Sequence, residues 1–168
     1  MTPLPAALGG TQLIAWRLDP MNFAATWDSG EGAYRFGGRW NGVGVRAVYA
    51  SLDPAAAILE VAVHKGFETL DVVPHTLTAF EILDPAQVHV VDRDAVANPN
   101  WLTPGVPSIG QQAFGDALLA SHPFVVIPSA VSPHSWNLVF NPALAGGGYR
   151  LRSRERFALD SRLHPAGG

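Results

Sequence analysis

The 168-residue sequence contains no cysteine, so it can form neither a disulfide bond nor a thiolate metal site, and it has no cysteine nucleophile. This composition fits a reducing compartment. Lysine is almost absent as well, because Lys65 is the only lysine among the 11 basic residues. The positive charge of any anion-binding site must therefore come from arginine, whose planar head carries five donors.

Long hydrophobic runs are also missing. No stretch approaches the roughly 18 apolar residues of a membrane span, and the N-terminal region lacks the basic start and apolar run of a targeting segment. We therefore expect a cytoplasmic chain without a membrane span. The formal net charge of −3 and the pI near 6.0 argue against direct nucleic-acid binding, which usually requires a basic excess on one face.

Several motifs of cofactor binding and catalysis are absent. The chain has no Gly-x-Gly-x-x-Gly, no phosphate loop ending in Gly-Lys-Ser or Gly-Lys-Thr, and no Gly-x-Ser-x-Gly elbow. Its six histidines include no His-x-x-x-His pair, so no metal site is predicted. Any chemistry must then depend on arginine, glutamate, tyrosine, serine and asparagine.

Glycine and proline are abundant, with 17 and 14 residues in a chain that is 48% hydrophobic. This composition predicts short strands and turns rather than long helices. The length suits one domain, which we place at residues 13–163 between a flexible N-terminal tail, 1–12, and a C-terminal tail, 164–168. Hydrophobic patterning predicts strands near residues 13–18, 43–50, 76–82, 88–91 and 123–128.

Two helices have clear signals. Asp53 and Pro54 form a helix start, and Gly66 suits the end, which predicts a helix over residues 55–65. A second, amphipathic helix is predicted over residues 108–119.

A glycine-rich segment at residues 29–41 has the composition of a ligand-binding loop. Gly37 and Gly38 permit close approach of a ligand to the backbone, and Arg39 then offers a head suited to phosphate or carboxylate. An ordinary surface loop would show the same composition, so the residue types alone leave both interpretations open.

Glu60 is flanked by apolar residues on the first predicted helix. A carboxylate in such surroundings must find a hydrogen-bond donor or shift its pKa upward. Glu60 therefore either pairs with a nearby arginine for structure or lines a functional site. Arg17, on a predicted strand, and Ser129, just after a buried strand, also have two interpretations each: a surface or turn residue, or part of a site.

Arginine recurs at alternate positions near the C-terminus, at 150, 152, 154 and 156. If residues 149–157 form one strand, the pattern predicts four arginines on one face. This face is either an edge charged against aggregation or a contact surface for an acidic partner.

The order of several segments resembles the RES-domain family, which is named for an arginine, a glutamate and a serine. The resemblance covers roughly residues 13–163 and is carried by Trp16-Arg17, the segments 30–33 and Gly37-Gly38-Arg39-Trp40-Asn41, Val48-Tyr49-Ala50-Ser51, Leu59-Glu60, 112–116, 127–131, Asn137 and 157–163. Leu18 stands where members often have an aromatic residue.

The resemblance implies an α+β fold of the ADP-ribosyltransferase type found in diphtheria toxin, with short twisted antiparallel sheets and flanking helices. It further implies a toxin of a bacterial toxin–antitoxin pair that uses NAD+ as substrate and cleaves its nicotinamide–ribose bond, with water or phosphate as acceptor. The implied partner is an Xre-type helix-turn-helix antitoxin, with a toxin homodimer inside the larger complex.

Carried over by position, the resemblance implies three catalytic residues: Arg17, Glu60 and Ser129. It places substrate-binding residues at Gly38, Arg39, Tyr49, Ser51 and Asn137. The sequence also leaves other functions open: transfer of ADP-ribose to a protein, or a nucleotide-binding module without catalysis.

Overall fold

The fold is described from a computed structural model, which covers residue 4 and residues 12–163. The predicted C-terminal tail lies outside the described residues, as does the N-terminal tail apart from residues 4 and 12. Seven strands are formed by Leu13–Pro20 (β1), Val48–Ser51 (β2), His75–Ile82 (β3), Val88–Val90 (β4), Phe124–Pro128 (β5), Trp136–Phe140 (β6) and Tyr149–Phe157 (β7). Five helices are formed by Glu31–Phe36 (α1), Pro54–Lys65 (α2), Phe67–Val72 (α3), Ile109–Ser121 (α4) and Pro142–Ala145 (α5).

The strands form one seven-stranded sheet in the order β4-β5-β6-β2-β1-β3-β7. Every neighbouring pair is antiparallel except β4 and β5, which run parallel. The predicted α+β class is therefore confirmed, with one continuous sheet in place of the several short ones expected. The predicted strands 76–82 and 88–91 are consecutive in the chain, but they lie near opposite ends of this sheet.

The sheet is bent where β1 meets β2. These two strands share a single residue pair, Trp16 with Ser51, whereas β1 pairs with β3 along its whole length. Beyond that pair β1 and β2 diverge. The main core cluster joins the two halves, because Leu13 and Phe80 from one side pack with Leu138 and Phe140 from the other. The sheet thus folds over its own apolar face.

The two long helices begin where the sequence predicts. Asp53 Oδ1 accepts a hydrogen bond of 2.9 Å from the Ala56 amide at the start of α2, and Gly66 ends that helix with a φ of 81°. Ser108 Oγ accepts from the Gln111 amide at 3.1 Å and caps α4. Side-chain caps of this kind satisfy amide groups that have no partner within the helix.

Two predictions on the segment before β2 are wrong. The expected loop at residues 29–41 contains the helix α1, and the expected strand at 43–50 is reduced to Val48–Ser51. The Gly44 amide donates to the Tyr34 carbonyl at 2.8 Å, and Gly44 has a φ of 94°. This turn brings the chain back onto α1, so residues before Val48 do not extend along a neighbouring strand.

The prediction of four arginines on one face is also wrong. The register of β7 against β3 shifts between Ala79 and Phe80, where the partners change from Ser153 to Leu151 and leave Arg152 in a bulge. A bulge adds one residue and reverses the alternation of the side chains. Arg150 and Arg152 both contact Glu81, at 2.8 and 2.9 Å. The two later arginines lie on the opposite face. β7 lies at the edge of the sheet, as the interpretation of a charged edge strand predicts.

Helix α4 holds the segment at residues 37–42 against the sheet. Gln112 Nε2 donates to the Gly38 carbonyl at 3.0 Å, and the Gly42 amide donates to Asp116 Oδ1 at 3.0 Å. Gly115 lies so close to the Trp40 backbone that an added Cβ would come within 1.9 Å of the Trp40 carbonyl oxygen. The helix and the segment can pack this closely only because position 115 has no side chain.

We expect Gly115→Ala to lower the free energy of unfolding by about 2 kcal/mol, since overpacking typically costs about 1–3 kcal/mol. This loss should exceed the gain of about 0.5–1 kcal/mol that alanine normally brings to a helix interior. The matched control is Gly32→Ala in α1, where nothing lies within 4 Å of the added Cβ. Chemical denaturation measures both variants, and equal stability of the two would contradict the packing described here.

Candidate active site

Four neighbouring strands place polar residues in one row across the bend of the sheet. Ile127 on β5 is paired with Asn137 on β6, Asn137 with Ser51 on β2, and Ser51 with Trp16 on β1. Arg17 follows Trp16 directly, and Ser129 follows the end of β5. Residues that are far apart in the chain therefore meet at this row, where helix α2 adds Glu60.

Glu60 receives two hydrogen bonds on one carboxylate oxygen. The Ser129 hydroxyl and the Asn137 side-chain amide both donate to Oε1, each at 2.7 Å. The Asn137 carbonyl oxygen in turn accepts from the Ser51 hydroxyl at 2.8 Å. Three of the predicted site residues thus form one network with the glutamate, and its donors are directed towards an ionised carboxylate.

The Ser129 hydroxyl is fully engaged in this network. Besides donating to Glu60, it accepts from the amides of Val131 and Ser132 at 3.1 and 3.0 Å. Ser129 and Ser51 are buried, and Asn137 is 9% exposed. By contrast, the second Glu60 oxygen, Oε2, accepts no hydrogen bond from any described residue. The network holds the carboxylate in place and leaves one oxygen for other contacts.

The surroundings of Glu60 differ from those expected. Among the described residues no arginine pairs with Glu60, so the structural alternative of an ion pair there is wrong. Glu60 is half-buried, and two apolar residues of the same helix, Leu59 and Val63, are 38% and 58% exposed. The apolar neighbours of Glu60 in the sequence therefore do not form an apolar pocket around it. Hydrogen bonds from Ser129 and Asn137 stabilise the carboxylate.

Arg17 lies where β1 and β2 separate. Its Nη1 atom donates to the Tyr49 carbonyl at 2.8 Å, and its Nε and Nη2 atoms contact the two oxygens of Asp19 at 3.0 and 2.9 Å. Nε and Nη1 donate hydrogen bonds and Nη2 forms the ion pair, so part of the five-donor head stays available for other partners. The side chain is 28% exposed.

Asp19 is a site-forming residue that the sequence analysis missed. Its side chain is only 8% exposed, and burial raises the pKa of its carboxyl above the usual value, against the opposing effect of Arg17. A signal was available, because residues i and i+2 of a strand share a face, and Arg17 and Asp19 have this spacing. The carboxylate fixes the orientation of the arginine through a two-pronged contact.

Tyr49 braces the glycine-rich segment through its hydroxyl. The hydroxyl accepts from the Trp40 amide at 2.9 Å and donates to Asn41 Oδ1 at 2.6 Å. Burial raises the pKa of the Tyr49 hydroxyl, so it stays protonated near neutral pH. A Cβ at Gly38 would lie 2.6 Å from this hydroxyl, so the glycine makes room for the tyrosine.

Arg39 is attached to the loop that precedes α4. Its Nη1 atom donates to the carbonyls of Trp101 and Thr103 at 3.2 and 3.3 Å, and Nη2 donates to that of Gly105 at 3.0 Å. It lines an open cavity of about 280 Å³ together with polar residues that include Asn98, Asn100, Ser108 and Gln111. None of the three predicted catalytic residues lines this cavity.

Tyr49 joins the two groups of predicted site residues. One group consists of Glu60, Ser129, Asn137 and Ser51, and the other of Gly38 and Arg39 with the segment around them. The Tyr49 carbonyl binds Arg17, and its side chain binds the segment at 40–41. The side chains of Tyr49 and Ser51 lie on the same face of β2. The predicted residues thus occupy one region, although Arg39 lies at its margin.

Two further properties of the described part of the chain bear on the kind of site. Within residues 12–163, no three histidine, aspartate or glutamate side chains form a group that could hold a metal ion. No described helix is long and apolar enough to cross a membrane.

A family model described as the RES domain matches residues 14–160. This chain belongs to the RES-domain family. The match covers the row of polar residues, the segment held by α4 and the edge strand β7. The arginine, glutamate and serine singled out in the sequence fall within it.

Other RES-domain chains are similar over most of their length. A "Toxin Res" of Photorhabdus laumondii is 33% identical in an alignment of 159 residues that covers 90% of this chain and 97% of that protein. A "Toxin Res" of Pseudomonas putida is 31% identical over 90% of this chain and 99% of its own length. A "Prs ADP-ribosylating toxin" of a Sphingobium strain is 32% identical over 88% of this chain and 94% of its own.

The fold of this RES-domain chain also matches a solved structure, that of the M. tuberculosis MbcT–MbcA toxin–antitoxin complex. The TM-score is 0.72 at 24% identity, over 88% of this chain and 85% of the matched chain. At this identity the likeness concerns the fold. It agrees with the bent, mostly antiparallel sheet described above.

We expect Tyr49→Phe to destabilise this RES domain by about 1–3 kcal/mol, because the Trp40 amide and the Asn41 Oδ1 atom would each lose a hydrogen-bond partner. The control is Tyr34→Phe, since Tyr34 is 40% exposed. Urea denaturation measures the free energy of unfolding of both variants. The difference should stay constant between about pH 6 and 9, where the buried phenol is neutral. A Tyr49→Phe protein as stable as the control would contradict the bracing role.

Proposed function

We propose that this chain is the toxin of a toxin–antitoxin pair and that it consumes NAD+ by cleaving the nicotinamide–ribose bond. The observation that carries the proposal is the Glu60 carboxylate, held by two donors on Oε1 while Oε2 stays without a hydrogen bond among the described residues. Membership of the RES-domain family supports it, as do the names of the relatives, which include toxins and an ADP-ribosylating toxin.

The chemistry of this bond calls for an anionic group. When the C–N bond breaks, its electron pair leaves with nicotinamide, which departs as a neutral molecule and needs no proton. The ribose carbon left behind acquires oxocarbenium character, as in glycoside hydrolysis. A fixed carboxylate nearby lowers the energy of that cation because it needs no reorganisation during the reaction. In this proposal Glu60 Oε2 supplies the charge or binds a ribose hydroxyl.

The second half of the reaction adds an acceptor. The oxygen of water or phosphate forms a bond to the ribose carbon and, for water, loses a proton. Glu60 can orient the acceptor and take that proton as general base. Ser129 and Asn137 then act by holding Glu60, because their donors are directed to its carboxylate in the free protein. This role differs from the direct substrate contact expected from the sequence.

The arginines are assigned to the pyrophosphate of NAD+. Arg17 keeps donors after its contacts with Asp19 and Tyr49, and charge-assisted hydrogen bonds to phosphate are the strong kind. Arg39 also keeps two N–H groups, since three serve the carbonyls of the loop at 101–105. Arg17 lies beside the row of polar residues and is therefore better placed than Arg39 to bind the pyrophosphate.

The decisive experiment measures nicotinamide release from NAD+ by the purified protein and by Glu60→Gln. The amide keeps the shape and can still accept from Ser129 and Asn137, so the fold should persist. Removing the charge should lower turnover about 100-fold or more, in line with a loss of ~3 kcal/mol of transition-state stabilisation.

The control for this variant is Glu68→Gln on α3, an exposed glutamate, which should turn over NAD+ like the wild type. Near-normal turnover by Glu60→Gln would remove this residue from the mechanism. An inactive wild-type protein that still binds NAD+ would instead favour a nucleotide-binding module. The products separate the acceptors, because water yields ADP-ribose and phosphate yields its phosphorylated form.

A second prediction concerns Asp19. We expect Asp19→Asn to raise KM for NAD+ by roughly 10-fold with a smaller effect on kcat, because Arg17 would lose the two-pronged contact that orients it. Asp94→Asn, on an exposed turn, removes the same charge elsewhere and should leave both constants unchanged. A fall in kcat alone would show that Arg17 does not act mainly in substrate binding.

One relative favours a different acceptor. The similarity to a protein named as a Prs ADP-ribosylating toxin makes a protein acceptor the second candidate function. Incubation of the chain with labelled NAD+ and cell lysate distinguishes the two. Labelled protein would support transfer, whereas free labelled ADP-ribose or its phosphorylated form would support cleavage with a small acceptor.

The proposed partner is an Xre-type helix-turn-helix antitoxin, with the toxin as a homodimer inside the complex. The fold match to a toxin–antitoxin complex supports a protein partner. Growth arrest on expression of this chain, relieved by co-expression of an open reading frame next to its gene, would support the pairing.

A further inference from the structure

The two edges of the sheet differ in length and exposure. β4 closes one edge with only three half-buried residues, Val88–Val90. β7 closes the other with nine residues, seven of them exposed. On an edge strand, alternate residues direct their amide and carbonyl groups away from the sheet, where they can pair with another strand. No described residue pairs with this outer side of β7.

The arginines of β7 are unequally neutralised. Arg150 and Arg152 share the carboxylate of Glu81, which accepts at 2.8 and 2.9 Å. Arg154 and Arg156, beyond the bulge, are paired in register with Thr78 and Thr76 of β3. Neither has an acidic partner among the described residues. Four arginines and two glutamates, Glu81 and Glu155, therefore leave this edge with a local excess of positive charge in a chain whose formal net charge is −3.

A second copy of this chain does not suit the edge. Beyond the bulge, an antiparallel pairing of two β7 strands centred on Glu155 would set Arg154 opposite Arg156, which share a face. Like charges directly opposite each other in a sheet are destabilising. A strand with acidic side chains would instead face the two uncompensated arginines, and would also cover Leu151, which is 41% exposed.

We propose that the outer edge of β7 binds an extended acidic segment of a partner polypeptide, which adds an eighth strand to the sheet. The backbone groups of the edge supply hydrogen bonds, and Arg154 and Arg156 select for acidic side chains. This surface is built from residues outside the proposed active site, so the inference does not depend on NAD+ turnover.

The probe is a synthetic nine-residue peptide in which glutamate alternates with valine, with both termini blocked. Calorimetric titration of the full-length protein should show binding that weakens as salt rises, because the contacting charges are exposed. Hydrogen exchange should slow at alternate amides of β7 only. The double variant Arg154→Glu with Arg156→Glu should bind the peptide about 10-fold more weakly or worse.

Two altered peptides test the two parts of the proposal. Replacing each glutamate by glutamine should abolish the charge-dependent binding, and N-methylation of alternate peptide amides should abolish the added strand. Thermal unfolding of the double variant at the wild-type temperature would establish that its fold is intact. Absence of binding at millimolar peptide, or equal binding of the N-methylated peptide, would overturn the proposal, since the arginines would then serve only to keep the edge free.

Discussion

The structure depends on a single backbone pairing, that between Trp16 and Ser51, which joins the two halves of the sheet. Because β1 and β2 diverge beyond this pair, the polar backbone of β2 would be left unpaired next to the core. The Arg17 side chain fills that position and donates to the Tyr49 carbonyl. A side-chain donor thus takes the place of a strand partner at the bend, and α2 brings Glu60 to Ser129 and Asn137 nearby. Fold and candidate site are consequences of one discontinuity in the hydrogen-bond ladder.

The local features of the fold were predictable because their signals lie within a few residues. Asp53, Pro54 and Gly66 delimit α2 as expected, and the apolar run at residues 124–128 forms a fully buried strand. The features that failed depend on partners distant in the chain. The strand expected at 43–50 shortens because Gly44 turns back to Tyr34, and the arginine alternation of β7 breaks at a bulge that only the register with β3 reveals. The composition of a segment does not encode either contact.

The candidate site shows the same division. The sequence predicted a site that contains Arg17, Glu60, Ser129 and Asn137. Only the structure shows which atoms these side chains contact. Ser129 and Asn137 direct their donors to Glu60, and Asp19, which the sequence analysis missed, orients Arg17. Tyr49 and Gly38, which the sequence predicts at the substrate, fit each other, since the hydroxyl occupies the space that a Cβ at Gly38 would fill. Sequence motifs mark such residues without separating those that contact a ligand from those that hold them.

The distribution of hydrogen bonds limits what the site can hold. Arg17 and Arg39 both use part of their donors for contacts within the protein, so neither can surround an anion by itself. Arg17 is held rigidly, and a rigid donor pair discriminates by position more than by strength, since little side-chain entropy remains to be lost on binding. The carboxylate of Glu60 is constrained in the same manner, with one oxygen engaged and one available. Under the proposed function, the anionic group that Arg17 binds is the pyrophosphate, and the electron-poor centre that Glu60 stabilises is the ribose carbon of the dinucleotide.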